Sequence, residues 1–123
     1  MTQPIAPPWP TEIRLVRDKK ALQVAFDDGR AATLPAELLR VESPSAEVQG
    51  HGPDERKLVP GKEGVAIASI EPIGNYAVRL VFDDGHSTGI YGWTLLATLA
   101  EDPAGRLARY RTELSEAGLS HLR

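Results

Sequence analysis

Between Val81 and Leu96 the chain brings together residue types that could do chemistry: Asp83-Asp84-Gly85-His86, followed by Tyr91 and Trp93. Paired carboxylates beside an imidazole are the right groups for general acid–base work. Adjacent residues at a strand end point opposite ways, however, and Asp27-Asp28-Gly29 repeats the motif with Arg30 in place of His86. The aspartates therefore read as turn formers, with glycine supplying the positive φ that a tight hairpin needs. Ser43 and Ser45 lack the strand–turn–helix context of a nucleophile elbow. No glycine-rich phosphate loop follows a strand. The chain contains no cysteine, which excludes thiol nucleophiles, disulfides and cysteine-ligated zinc or iron–sulfur clusters. No catalytic residue is assigned, and a non-enzyme is expected.

The elements that must position these residues are mostly strands. Ile13 and Leu15 share one face, then Leu22, Val24 and Phe26 alternate with polar or small residues, which predicts a β-hairpin around Asp18-Lys19-Lys20. Arg30 to Leu34 is a short return strand, and Pro35 opens a helical turn through Leu39. Val65–Ile73 and the face Tyr76, Val78, Leu80, Phe82 predict a second hairpin about a two-residue Gly74-Asn75 turn. Tyr91, Leu95 and Leu99 recur every four residues beside Leu96, which predicts a helix. Asp102-Pro103 starts a last helix, and Gly118 ends it. Residues 41–63 lose all periodicity and form a long polar loop centred on Ser43–Pro53.

The second half echoes the first. A shift of 56 positions superposes Leu22, Val24 and Phe26 on Val78, Leu80 and Phe82, and the Asp-Asp-Gly turns on each other. The same shift places Leu34 on Ile90 and Leu39 on Leu95. The expected fold is α+β: a β-rich single domain of about six mostly antiparallel strands in two related units, with two helices. Residues 1–10, with four prolines and Trp9, read as a flexible tail, 11–101 as the domain, and 102–123 as a C-terminal helix.

With 123 residues, the chain matches one domain of the usual roughly 100–200 residues and can bury a core unaided. A net charge of −3 with scattered Lys and Arg gives no basic stripe, so nucleic-acid binding is not expected. No apolar run reaches the roughly 20 residues of a membrane span. No signal-peptide layout is evident, so a cytoplasmic protein is expected.

Four segments carry a family resemblance: Leu34–Arg40, Ser43–Pro53, Ile70–Tyr76 and Asp84–Trp93. Together they are similar to the DUF971 family, the small bacterial domain also found at the N-terminus of gamma-butyrobetaine hydroxylase-like proteins. The resemblance implies a β-rich module that, in the hydroxylases, holds zinc through a Cys-x-Cys-x-x-Cys pattern and a histidine. Those positions correspond to Ser43, Ser45, Val48 and His86, so only the histidine survives. No metal cofactor is expected. The alternative is an iron or zinc site of His86, His51 and Glu47, because the family topology would bring the long loop near His86. Otherwise His86 is expected to hydrogen-bond across its turn and pack between Tyr91 and Trp93.

Oxygenase activity does not follow from the resemblance, because the facial-triad barrel is a separate, larger domain. Similar domains are fused to hydroxylases and, in plastids, to a P-loop iron–sulfur carrier ATPase. That implies an adaptor whose unknown protein partner is such an ATPase or an oxygenase, linked to iron–sulfur assembly. Tyr91, Trp93 and His86 are the expected contact residues, since interfaces favour aromatics. A homodimer is the other partner reading.

Overall fold

Each half of the chain folds as two strands, an Asp-Asp-Gly turn, a return strand and a helix. A computed structural model of the chain describes residues 8–50 and 56–122. Strands β1 (Pro10–Leu15), β2 (Ala21–Phe26) and β3 (Ala31–Pro35) lead into helix α1 (Ala36–Val41). A four-residue helix, α2 (Ala46–Gln49), lies in the long loop. Strands β4 (Ile67–Ile73), β5 (Ala77–Phe82) and β6 (Ile90–Gly92) then lead into α3 (Trp93–Leu99), and α4 (Pro103–Glu116) follows. The strands make two three-stranded antiparallel sheets, ordered β1-β2-β3 and β4-β5-β6. The α+β expectation with six strands in two related units holds, and among the described residues four helices stand where two were expected.

The repetition extends to individual hydrogen bonds. Gly29 and Gly85 have φ of 90° and 91°. Phe26 N donates to Arg30 O and Phe82 N to His86 O. Asp28 Oδ1 accepts from Arg30 N, and Asp84 Oδ1 from His86 N, each at 3.0 Å. Both hairpins carry an irregularity at the same place, between Pro10 and Glu12 and between Ile67 and Ser69. The return strands correct the sequence register by one residue. Leu22 pairs with Leu34, whereas Val78 pairs with Tyr91. The counterpart of Leu34 is therefore Tyr91, buried like it, and Ile90 faces out. Downstream the offset is 57, so fully buried Leu39 corresponds to fully buried Leu96.

The faces predicted by alternation make the core. Leu22, Val24, Phe26 and Leu34 of the first sheet belong to one cluster with Ile67, Val78, Leu80, Phe82 and Tyr91 of the second, joined by Leu39, Leu96 and Leu99 from the helices. A smaller cluster of Val41, Tyr110 and Leu114, with Leu58 and Val59 against it, fixes α4 to the domain. Asp102 caps α4 through Gly105 N at 3.1 Å, as its sequence predicts. Beyond α4, Ser120 O and His121 O accept from Gly61 N and Glu63 N, so residues 118–122 strap down the end of the long loop.

Three expectations change. Tyr76 is not in a strand: Ile73 pairs with Ala77, so Gly74-Asn75-Tyr76 forms a three-residue loop that leaves Tyr76 exposed. Tyr91 belongs to β6, and the helix starts at Trp93. The tail reading stops short of residue 10, since Pro10 lies in β1, Asp27 N donates to Trp9 O, and Trp9 N donates to the Asp27 carboxylate. The rest of that reading, residues 1–7, lies outside the described residues.

Candidate functional site

With the extra residue between Gly85 and β6, residues 87–89 lie outside the paired β5–β6 residues, although Leu80 N still donates to Gly89 O at 3.4 Å. Arg30, in the first unit, is exposed; His86, its counterpart, is 6% exposed. The segment after α1 meets the imidazole there. Ser43 Oγ stands 2.9 Å from His86 Nε2, and Ser45 Oγ 3.3 Å from the same nitrogen. The two serine oxygens are 3.3 Å apart. On the other side of the ring, Nδ1 lies 3.1 Å from Glu47 Oε2. A carboxylate can only accept, so Nδ1–H donates to Glu47 and Nε2 is left to accept from Ser43. Thr88 Oγ1 donates to the other Glu47 oxygen, 3.3 Å away.

The surroundings hold this arrangement closely. Ser43 is fully buried, and its carbonyl accepts from Gln49 Nε2 at 2.9 Å. Gly89 lies so near that a Cβ there would stand 2.6 Å from Ser43 Oγ and 3.0 Å from the Tyr91 ring. Tyr91 OH donates to Leu39 O. The His86 ring packs tilted against Phe82, centroids 6.1 Å apart. Below the turn, Asp84 Oδ2 accepts from Arg40 Nε and Lys62 Nζ, both at 2.7 Å.

Burial pushes the imidazole pKa below its ordinary value, and the nearby Arg40 charge pushes the same way; together they outweigh the pull of Glu47 and Asp84. The buried ring is therefore held neutral. Asp84 is held well below the carboxylate range: burial alone would raise it, but Lys62, the His86 N–H and Arg40 together prevail. Burial raises the Tyr91 phenol, with the Ser43 hydroxyl opposing.

The candidate residues separate into two groups. His86 and Glu47 meet, while His51 lies outside the described residues. Among the described residues no group of three His, Cys, Asp or Glu side chains is placed to hold a metal ion. Tyr91 is fully buried and His86 nearly so, because both face the core side of the second unit, so neither offers contact surface. The imidazole takes its partners from the 43–47 segment rather than across its own turn. Trp93 packs partly buried against the core and donates its indole N–H to Asn75 O at 2.9 Å. Tyr76, in the β4–β5 turn, is 59% exposed, and Ile90, in β6, is 46% exposed. Sequence reasoning missed both, having assigned Tyr76 to a strand face and Ile90 to the core position of Leu34. It also left Ser43 and Ser45 without a role, although the two-residue spacing that puts both hydroxyls on one nitrogen was visible.

A duplicated two-sheet α+β domain with a histidine-centred junction defines the class of protein. Residues 13–97 match the family described as gamma-butyrobetaine hydroxylase-like, N-terminal, and the chain belongs to that family. A solution NMR structure is similar to 99% of this chain and 91% of its own, at 46% identity and a TM-score of 0.81. A second NMR structure, 42% identical, covers 95% of this chain and 92% of its own, also at 0.81. A crystal structure of a DUF971-family protein of unknown function from Acidithiobacillus ferrooxidans is 39% identical over 75% of this chain and 92% of its own, with a TM-score of 0.62. No curated protein sequence matches the chain at a significant level.

The zinc ion that the resemblance implies does not fit the residues present. Zinc takes thiolate, imidazole or carboxylate donors. Here the three cysteine positions hold two serines, poor zinc donors, and Val48, buried and without any donor atom. No helix among the described residues is long and apolar enough to cross a membrane.

Proposed function

We propose that this domain is a non-catalytic protein-interaction module, an adaptor whose contact surface is the outer side of β5–β6. One observation carries this reading. The side chains suited to chemistry, Ser43 and His86, are buried and paired with each other, while Ile90 of the edge strand β6, Tyr76 of the β4–β5 turn and the partly exposed Trp93 just after β6 leave apolar surface open. A nucleophile without access has no substrate to attack, whereas exposed aromatics beside a sheet edge suit a partner. β6 pairs with β5 on one side and with no strand on the other among the described residues. The family's occurrence in fusions with oxygenases and with an iron–sulfur carrier ATPase supports a partner of that kind.

The test combines capture and complementation in the native cell. A tagged wild-type chain should enrich one protein that a Tyr76→Ala/Ile90→Ala/Trp93→Ala variant, with unchanged thermal stability, recovers at least about tenfold less. The variant should also fail to complement a deletion. Full complementation by a variant that is folded and expressed at wild-type level sinks the reading.

A further inference from the structure

We infer that a metal-free hydrogen-bonded knot of Ser43, Ser45 and His86 stands where the family resemblance implies a metal centre, and that this domain folds and stays folded without metal. The three atoms form a triangle with sides of 2.9, 3.3 and 3.3 Å. Donors on tetrahedral Zn–S bonds of about 2.3 Å stand roughly 3.7 Å apart. The triangle has thus contracted onto hydrogen-bond lengths. Its contents also suit hydrogen bonding rather than ligation. Hydroxyls both donate and accept, so two of them and a neutral imidazole can satisfy one another with no charge to balance.

The histidine leaves no opening for an ion. Nε2 accepts from Ser43, and Nδ1 donates to Glu47 on the opposite side of the ring. Glu47 and the serine pair therefore cannot reach one ion through the same nitrogen. Gly89 leaves little room beside the pair, because even a Cβ there would stand 2.6 Å from Ser43 Oγ. The mechanical task of a metal clip is still done. Residues 43 and 86, 43 positions apart in sequence, are tied directly, which fixes the chain after α1 to the second Asp-Asp-Gly turn. This is independent of the proposed interaction surface.

The experiment uses the full chain purified without a His tag. Elemental analysis should find less than about a tenth of an equivalent of zinc or iron, and EDTA should leave Tm unchanged. Ser43→Ala/Ser45→Ala should lower Tm in EDTA-treated protein, because the pinning is done by hydroxyls. Ser43→Cys/Ser45→Cys/Val48→Cys should take up about one equivalent of zinc and gain Tm with it. Stoichiometric metal in the wild type, or a fall in its Tm with EDTA, would overturn the inference whether or not the cysteine variant folds. A folded cysteine variant that ignores zinc would overturn the equivalence with a metal centre.

Discussion

Ser43→Ala is the smallest change that separates the buried junction from its surroundings. It removes the 2.9 Å partner of His86 Nε2 and leaves only Ser45 at 3.3 Å. An under-satisfied buried acceptor costs about 1–3 kcal/mol, so urea unfolding should show a loss in that range with an unchanged m-value. The pH dependence follows from the same site. The folded pKa of His86 lies below its ordinary 6.5, so the unfolded chain binds the proton more readily. Its contribution to stability is complete above about pH 6.5 and is lost as pH falls from there toward the folded value. Chemical denaturation at pH 7.5 and 5.5 should show a drop for the wild type that His86→Gln reduces. An equal drop in both proteins would remove His86 as its source. The imidazole itself was conspicuous in the sequence. Its partners were not, because contacts across 39 to 43 positions leave no periodic trace.

At the scale of elements, the second return strand differs from the first by one residue, which follows His86. Gly89 is where the two arrangements meet. Gly89→Ala would force a Cβ against Ser43 Oγ and the Tyr91 ring, and overpacking of this kind costs about 1–3 kcal/mol. Gly29→Ala meets no neighbour within 4 Å and is strained only by its φ of 90°. The two variants should therefore differ in heteronuclear NMR: Gly89→Ala should shift the His86 ring resonances, and Gly29→Ala should leave them in place. The hairpins and their turns were legible, because alternation and Asp-Gly chemistry are local signals. Tyr91 was misplaced because an aromatic four residues before Leu95 fits a helical stripe as well as a strand face. Its pairing with Val78 decided the matter, and such pairing is a tertiary fact.

At the scale of the molecule, α4 lies beyond the matched residues 13–97, yet it is bound into the domain. Tyr110 OH donates to Val59 O at 2.6 Å and accepts from Val59 N. Arg111 Nη2 pairs at 2.7 Å with Glu37, a carboxylate that is only 7% exposed. Removing residues 103–123 uncovers Val41 and leaves that carboxylate without Arg111 and without His121, 3.2 Å away. The truncated chain should lose at least about 1.5–3 kcal/mol, the burial of one large apolar side chain, and its thermal transition should broaden. The sequence marked this helix through Asp102-Pro103, but its docking face rests on Leu58 and Val59, which sit in a stretch without periodicity. The outward surface was the least legible feature. Tyr76, Ile90 and Trp93 come from a turn, an edge strand and a helix start, and their exposure follows from the fold rather than from any periodic pattern.

The central claim is that this domain keeps its chemistry-bearing residues inside and meets a partner through the β5–β6 side. The most direct measurement is a titration of the 15N-labelled chain with the organism's P-loop iron–sulfur carrier ATPase, followed by amide and indole shifts. Saturable shifts are expected at Tyr76, Ile90 and the Trp93 indole, with Ser43, Ser45 and His86 unmoved. Shifts confined to residues 43–49 and His86, or no shifts at all, would contradict it.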